Sequence, residues 1–506
     1  MNCDWASARA RLSPDRTAIF DLDRGAAYSY RAMRDRVARL RGLVAGLGVG
    51  RGDRIAILAK NGIAHVDLFL LAGYAGVTLV PLNWRLPAQE LTPLVAAART
   101  RLLFYSPEFE ATAVGLQAAT GLQAFALADS GERYESLLAQ APALPPEPAD
   151  ETDVAMLLFT GGTTGIAKGV RITHRQIFWN AVNTVTSWEL SAADCAPVFT
   201  PFYHTGGYHV LFSPLYHAGG TSLIAEAFSP ALARRAVRNY GVSVLFLIPT
   251  MFQSLIDEGL DPEDMASVRF AISGGAACPP WVEERFGRLG VRFKQGYGLT
   301  EVGPNCFSLA LDEAATHPGC VGVPVFHLEL RIVGDDGQAL PPGQPGELWL
   351  RGPTVADGYE GRPDETKAAF DQEGFCHTGD LAEQDPDGFV RIVGRKKEMF
   401  ISGGENIYPI ELENALYAHP AVAVAAVLGV PHEHWGEVGV AWVQLREGED
   451  ASPEELLGFL AGRLARYKLP KRLQILPSLP LTAAGKVAKE ELRRLYFARA
   501  GAQEGA

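Results

Sequence analysis

Basic charge is what this chain is short of. Lys+Arg number 46 against 58 for Asp+Glu, a formal net charge of -12, which argues against a general nucleic-acid binder, because a basic surface supplies most of that affinity. A local cluster of donors can still hold an anion in an acidic protein, so ATP is not excluded. Cysteine is scarce too. The six residues Cys3, Cys195, Cys278, Cys306, Cys320 and Cys376 form no close pair and no Cys/His metal spacing, so reduced thiols and a cytoplasmic location are expected. The start, Met-Asn-Cys-Asp-Trp-Ala, lacks a basic-then-apolar signal. Long apolar runs are missing as well: Val66 to Leu82 is interrupted by Asp67, Gly73, Gly76 and Pro81. It reads as a buried helix followed by a strand, and no integral membrane association is expected. No internal repeat stands out.

Hydrophobic residues at 47% and charged residues at 21% are the balance of a soluble globular protein. A chain of 506 residues is too long for one compact core, so two or more domains are expected. Tyr28 to Leu47 has helical periodicity, Arg54 to Leu58 reads as a buried strand, Ala64 to Ala75 as a helix and Val77 to Pro81 as a strand. Strand Ser243 to Ile248, helix Thr250 to Glu258 and strand Phe270 to Ser273 repeat the rhythm, which indicates parallel sheets covered by helices. The proline-rich run Ala141 to Ala149 reads as a surface linker between subdomains. After about Gly319, short strands such as Glu329 to Val333 and Glu347 to Leu350 suggest a small antiparallel β subdomain. Beyond Arg395, helix Pro409 to Tyr417, strand Val422 to Val427, β structure from Trp435 to Leu445 and helix Pro453 to Leu464 make a segment of roughly 110 residues, the size of a small α+β domain.

One stretch organises the rest. The apolar strand Val154 to Phe159 runs into Thr160-Gly-Gly-Thr-Thr-Gly-Ile-Ala-Lys168. Gly161, Gly162 and Gly165 let the backbone approach a ligand, Thr160, Thr163 and Thr164 add hydroxyls, and Lys168 adds a mobile charge. Small donors plus one lysine suit a polyphosphate. It is not the Walker pattern, because Gly169 follows the lysine and the hydroxyls precede it. Taken alone it is equally an ordinary Gly/Thr-rich hairpin. Four further stretches are of the same kind: Gln295-Gly-Tyr-Gly-Leu-Thr-Glu301, His377-Thr-Gly-Asp-Leu381, Gly394-Arg-Lys-Lys-Glu-Met-Phe-Ile-Ser-Gly-Gly-Glu-Asn-Ile407 and Leu481-Thr-Ala-Ala-Gly-Lys-Val487. A base could stack on Tyr297, Thr300 could donate to a phosphate and Glu301 could hold Mg²⁺ through oxygen. Each alone is a common turn.

Together and in this order, the set resembles the adenylate-forming superfamily of acyl-CoA synthetases, nonribosomal-peptide adenylation domains and luciferases. The resemblance runs from Tyr28 to Lys489. It implies an α/β protein with a large, multi-subdomain N-terminal domain (1–394), a smaller α+β C-terminal lid (395–506) and a hinge at Lys397. Thr160 to Lys168 matches the loop on the β- and γ-phosphates, and Gly274, Gly275 and Ala276 with Gln295, Gly296, Tyr297 and Gly298 match the adenine walls. Thr300 matches the phosphate threonine and Glu301 the Mg²⁺ carboxylate, Asp380 and Arg395 the ribose contacts, and Lys486 the catalytic lysine of acyl-adenylate formation. Ser402, Gly403 and Gly404 match the turn lining the pantetheine tunnel. ATP, Mg²⁺ and CoA follow as cofactor and co-substrates. The family loop usually has serine where Gly162 stands and proline where Ala167 stands, so a more flexible loop is expected. A homodimer is left open.

The acid is less determined. Pro201 to Tyr208 matches the stretch with a histidine at the acyl pocket, with no aspartate to pair an amino-acid ammonium. Gly296 stands where malonate-activating relatives carry arginine. An apolar monocarboxylate remains. Gly206, Gly207 and Gly296 leave room, and Tyr203, Tyr208, Phe202 and Phe307 are candidate walls. His204 is a gate, a carboxylate neighbour or a packed core histidine. The reading leans to a medium- or long-chain fatty acid; an aryl acid (benzoate-, cinnamate- or succinylbenzoate-like) and transfer to a carrier protein are the alternatives. A luciferase-type oxygenase and a non-enzymatic nucleotide-binding regulator are the rivals from other classes.

Overall fold

The structure, a computed structural model, describes residues 1–127, 132–160, 167–314, 316–482 and 485–503, with the backbone alone at 132–133 and 499–503. Gly161, Gly162, Thr163, Thr164 and Gly165 lie outside the described residues. Strand–helix alternation in the first part of the chain produces a six-stranded sheet in the order Gln123–Ala126, Leu102–Tyr105, Arg54–Leu58, Thr78–Pro81, Val154–Thr160, Lys168–Thr173. All pairings are parallel except the last, a hairpin in which Thr160 faces Lys168. Helix Ile63–Ala75 is buried along its whole length, which explains its apolar sequence. Its one carboxylate, Asp67, ends on the Arg36 guanidinium (2.7 Å) and accepts from the Tyr134 hydroxyl (3.0 Å). The charge that interrupts the apolar run is thus a buried, paired one. Among the described residues no helix is long and apolar enough to cross a membrane.

A second sheet joins Ala26–Ser29, Thr17–Asp21, Thr221–Ile224 and Cys195–Val198; a third, wholly parallel, joins Val244–Leu247, Phe270–Ser273 and Arg292–Gln295. The expected antiparallel β subdomain is the four-stranded sheet Glu329–Val333, Gly346–Arg351, Phe375–Gln384, Val390–Arg395. The chain then turns through 396–399 into a separate sheet, Glu405–Ile407, Phe400–Ser402, Gly436–Leu445 and Val422–His432, with Arg472–Ile475 parallel to Gly436–Leu445. This last sheet has its own core around Leu412, Leu416, Val427, Val443 and Leu456. The expected class, α/β with a large N-terminal part and a smaller C-terminal α+β part, is the one observed.

The proline-rich run is not a linker between subdomains. It connects elements of the six-stranded sheet and straps its helices: the Leu144 amide donates to Ala38 O (3.0 Å), the Glu147 amide to Tyr74 O (2.9 Å) and the Ala149 amide to Gly73 O (3.2 Å). Proline preserved the extended path while those few amides found partners. Composition alone does not distinguish a strap from a linker.

Candidate active site

Four pieces of the large domain and one loop of the small domain meet at the carboxyl ends of the third sheet. The strand end Thr160 is tied to Lys168 across the hairpin, its hydroxyl donating to Lys168 O (3.4 Å). The Lys168 ammonium stands 4.9 Å from the centre of the Tyr359 ring, and the Tyr359 hydroxyl donates to Glu301 Oε1 (2.9 Å). Burial raises the Glu301 pKa above the usual carboxylate range, against the lowering pull of Tyr359 and Lys168. Thr300 is next to Glu301 on the same turn, which closes through Leu299 and Gly303. One partly buried carboxylate backed by a hydroxyl donor suits Mg²⁺, an ion that takes a protein carboxylate or two and completes its shell with phosphate and water.

The second piece is the pair of parallel strand ends at Ser273 and Gln295. The Gly296 amide donates to Ser273 O (2.7 Å), which seats Gly274, Gly275 and Ala276 beside Gln295, Gly296 and Tyr297. Gly275 has a positive φ of 84°. Gly298 must be glycine for another reason: a Cβ there would fall 2.2 Å from the Pro304 backbone. Tyr297 donates its hydroxyl to Asp380 Oδ2 (2.6 Å), and burial with the nearby Asp380 charge holds that phenol far above its ordinary pKa. The other Asp380 oxygen meets Arg395 Nε (3.1 Å) from the directly opposed position on the neighbouring strand. Asp380 and Arg395 therefore form one rigid unit beside the aromatic wall.

The small domain contributes Lys486. Its loop is pinned by the Thr482 amide donating to Lys486 O (2.6 Å) and the Lys486 amide to Thr482 Oγ1 (3.2 Å). Thr250 of the large domain donates to Gly485 O (3.5 Å), and a Cβ on Gly485 would fall 2.6 Å from Ile248 Cδ1. Lys486 Cε lies 3.7 Å from the point where Gly275 would carry a Cβ. Lys486 is exposed, and the protein packed around its ammonium, then Arg395, lowers its pKa from the ordinary lysine value. Ser402, Gly403 and Gly404 are elsewhere. They form the hairpin between Phe400–Ser402 and Glu405–Ile407, packed on Trp435 of their own domain, and the Gly403 amide donates to Trp435 O (2.9 Å). Lys397, exposed, lies in the 396–399 turn between the two last sheets.

On the acyl side, His204 precedes a short turn, Thr205–Gly207, that continues as a π-turn over Tyr208–Phe212. The widened turn leaves carbonyls of His209 and Val210 free of the usual ladder, and Asn180 and Asn305 donate to them (2.8 to 3.2 Å). His204 Nε2 is buried without a partner among the described residues. Burial, then Lys486 and Arg85, pushes its pKa down to about 4, so the ring is neutral at pH 7. Gly206 packs on Phe246, whose ring edge is 3.7 Å from its would-be Cβ and 3.3 Å from that of Gly274. Gly296 faces Ile272 at 3.0 Å.

Two expected walls are differently placed. Tyr208 and Phe202 belong to the main core, where the Tyr208 ring stacks on Phe69 at 5.5 Å and its hydroxyl lies 3.0 Å from His65 Nδ1. Gly207 leaves no acyl room, because a Cβ would sit 2.5 Å from Pro201 O. Tyr203 is buried against Trp84 and His204. Residues that sequence reasoning missed are Tyr359, Phe246 and the seat of the Lys486 loop at Ile248 and Thr250. Tyr359 carried a signal, an aromatic inside the turn Asp357-Gly-Tyr-Glu-Gly361; Phe246 carried none beyond its strand.

Two family models match the chain, the AMP-binding enzyme at residues 6–360 and the AMP-binding enzyme C-terminal domain at residues 411–486. A feruloyl-CoA synthase from Amycolatopsis sp is 38% identical over 494 residues, 97% of this chain and 98% of the relative. An indoleacetate–CoA ligase from Aromatoleum aromaticum is 35% identical over 499 residues, 97% of each chain. Among solved structures, the o-succinylbenzoate CoA synthetase from Bacillus subtilis in complex with its acyl-adenylate intermediate superposes with a TM-score of 0.87 at 29% identity, covering 97% of each chain. The same synthetase in complex with ATP and magnesium ion gives 0.87 at 28%. Matched over both domains and across nearly its whole length, the chain belongs to the AMP-binding enzyme family, the adenylate-forming enzymes, and is an acid–CoA ligase of the acyl-CoA synthetase type.

Proposed function

We propose that the acid is a planar aryl or arylalkenoic monocarboxylate, activated as its acyl-adenylate and passed to CoA. The observation that carries this reading is the ring of Phe246 lying between Gly206 and Gly274, with Ile272 against Gly296. Phe246 and Ile272, seated directly on the glycines, offer a flat aromatic and aliphatic wall that suits a planar ring better than a flexible chain. The relatives named for ferulate, indoleacetate and o-succinylbenzoate support it, and they shift the reading away from the fatty acid toward which the sequence leaned.

The chemistry explains the inventory. ATP, Mg²⁺ and CoA are the reaction's partners. A carboxylate oxygen attacks the α-phosphorus of ATP, pyrophosphate leaves, and the acid becomes a mixed anhydride with AMP. The CoA sulfur then attacks the acyl carbon, the thiol proton goes to solvent, and AMP leaves with the anhydride electron pair. In the first step two anions approach each other, so cations are needed where charge accumulates. Glu301 would hold Mg²⁺, which would supply positive charge at the phosphate oxygens. Lys168 and the hydroxyls of the 160–168 loop hold the β- and γ-phosphates. Tyr297 flanks the adenine, and Asp380, fixed by Tyr297 and Arg395, accepts the ribose hydroxyls. Lys486, at the rim of Gly275, neutralises the carboxylate and α-phosphate. Neutral His204 adds no competing cation at the acyl entrance.

The boundary between a 1–394 domain and a 395–506 lid, with Lys397 as hinge, belongs to the same proposal. Lys486 stands beside Gly275 here while the Gly403 turn packs on Trp435. Rotation about the 396–399 turn exchanges them and brings Ser402, Gly403 and Gly404 to the thioester step. The test is pyrophosphate release with Mg-ATP across matched aryl and fatty acids, with and without CoA, products checked by mass. Aryl acids yielding acyl-CoA are expected. Preferential turnover of fatty acids would overturn the aryl reading, and pyrophosphate release without thioester would move the acceptor to a carrier protein.

A further inference from the structure

Lys294 is 4% exposed, a rare condition for a lysine. It sits on strand Arg292–Gln295 directly beside Ile272, which sits directly beside Phe246. Residues paired across neighbouring strands share a sheet face, and residues two apart on one strand share it too. Phe246, Ile272 and Lys294 are therefore one row of the face on which Gly274 and Gly296 form the next row. With the acid placed against those glycines, as in the aryl reading above, Lys294 stands one row deeper, away from the reacting carboxylate.

Its surroundings are aromatic. The ammonium is 4.6 Å from the centre of the Trp188 ring and 4.7 Å from that of Phe270. Both rings belong to the cluster that contains Phe246 and Ile272. Among the described residues no carboxylate pairs with it: Arg269 engages Asp194 (3.0 Å), and Glu189 is exposed and acts on Lys294 only through space. Burial, then Arg269, brings its pKa down to about 7. An ammonium has three N–H donors, and two ring faces satisfy none of them with an oxygen. Methionine would fill the same space without the cost of desolvating a charge. What a methionine lacks, and this position retains, is the set of ammonium donors.

We propose that Lys294 is a specificity-determining residue at the far end of the acyl slot, donating to an oxygen acceptor that the aryl acid carries on the ring edge opposite its carboxyl-bearing side chain. The inference rests on the aryl reading above and narrows it to ring-oxygenated aryl acids. An acid without that oxygen leaves the ammonium undonated when it closes the slot, and is disfavoured.

Matched pairs of arylalkenoic acids, with and without a ring hydroxyl opposite the side chain, test it on the full-length enzyme with Mg-ATP and CoA. Wild type should favour the hydroxylated acid by about tenfold to a hundredfold in kcat/KM, the range for a hydrogen bond to a charged group. Lys294→Met should erase that preference through KM of the hydroxylated acid while kcat for the unsubstituted acid and KM for ATP stay put. A second readout needs no variant. The KM ratio of the two acids in wild type should change as the pH crosses about 7, where the ammonium deprotonates, whereas titration of Lys486 affects both acids and cancels. Equal turnover of both acids with a ratio flat in pH would overturn the role of Lys294 and leave the aryl reading standing. Failure to turn over either acid, with fatty acids active, would overturn the aryl reading and this inference with it.

Discussion

The Arg446 guanidinium lies 4.1 Å from the centre of the Trp281 ring, a contact between the small domain and the helix Pro280–Arg288 of the large one. Arg446 Nε also donates to Val422 O (3.3 Å), which fixes the side chain from its own side. With the seating of Gly485 on Ile248 and Thr250, this contact holds the orientation in which Lys486 faces the site. A cation–π contact of this exposure contributes about 0.5–1 kcal/mol. Arg446→Ala should therefore slow pyrophosphate release about twofold to fivefold and leave thioester formation from a supplied acyl-adenylate unchanged. Single-turnover measurements of each half-reaction separate the two, and equal slowing of both would show that the contact does not select one orientation.

Lys486→Ala should lower acyl-adenylate formation by about 10² to 10³, the loss typical of removing one transition-state donor, while largely sparing the thioester step. The pH profile carries a sign. The Lys486 pKa is lowered from the ordinary lysine value by burial and then by Arg395, and in the proposed role the ammonium is the active form. Adenylate formation should thus fall on the alkaline side at a pH below that of an ordinary lysine. A profile in which the alkaline limb of the first half-reaction survives in Lys486→Ala would assign that limb to another group.

The parts of this molecule that were legible in the sequence are those decided by local rules. Strand Phe270–Ser273 and helix Pro409–Tyr417 have the expected bounds, because a short apolar run between turn residues and a proline at the first helical position are sufficient signals. The five glycine-containing stretches were legible as a set because order and spacing add information that no single turn contains. Long-range packing was not legible. Nothing local in Ala141 to Ala149 says that its few amides reach Ala38 and Tyr74, and nothing in Tyr208 distinguishes an acyl wall from a core position that meets His65 and Phe69. Gly206 and Gly207 are adjacent and chemically identical, yet a Cβ on one would meet Phe246 in ordinary contact while on the other it would collide with Pro201. Such differences are set by the third dimension alone.

Tyr359 connects the two charges proposed to hold Mg-ATP, stacking under Lys168 and donating to Glu301. Tyr359→Phe keeps the ring and removes the donor. The loss of a hydrogen bond to a carboxylate is worth about 1.5–3 kcal/mol where the partner stays desolvated, and part of it will be recovered where water reaches Glu301. KM for Mg-ATP should rise by about tenfold with KM for the acid nearly unchanged, and titrating free Mg²⁺ should show a weakened dependence. A variant with unaltered Mg²⁺ dependence and a raised KM for the acid would place Tyr359 on the acyl side.

Acid should unfold this protein earlier than its carboxylates require. Burial pushes His65, His174, His204 and His217 down to about 4 and His209 to about 3. Their packing explains why: His65 sits between the Tyr208 hydroxyl (3.0 Å) and Ala59 O (3.2 Å), His209 lies 3.2 Å from Ser213 Oγ, and His217 is edge-on to Trp5 and Phe178. In the unfolded chain these rings titrate near about 6.5. A depressed folded pKa means that the unfolded state binds more protons below that pH, so the stability these neutral rings contribute is fully present above about 6.5 and is lost as pH falls toward 4. Each ring accounts for on the order of 1 kcal/mol by pH 5.5. The urea midpoint should hold steady from pH 8 to 7 and drop steeply between pH 6.5 and 5. Replacing His209 with Gln, which cannot titrate, should flatten the drop even where it lowers the midpoint at pH 7.5. A midpoint independent of pH over that window would mean that the rings protonate in place, with water already at their nitrogens.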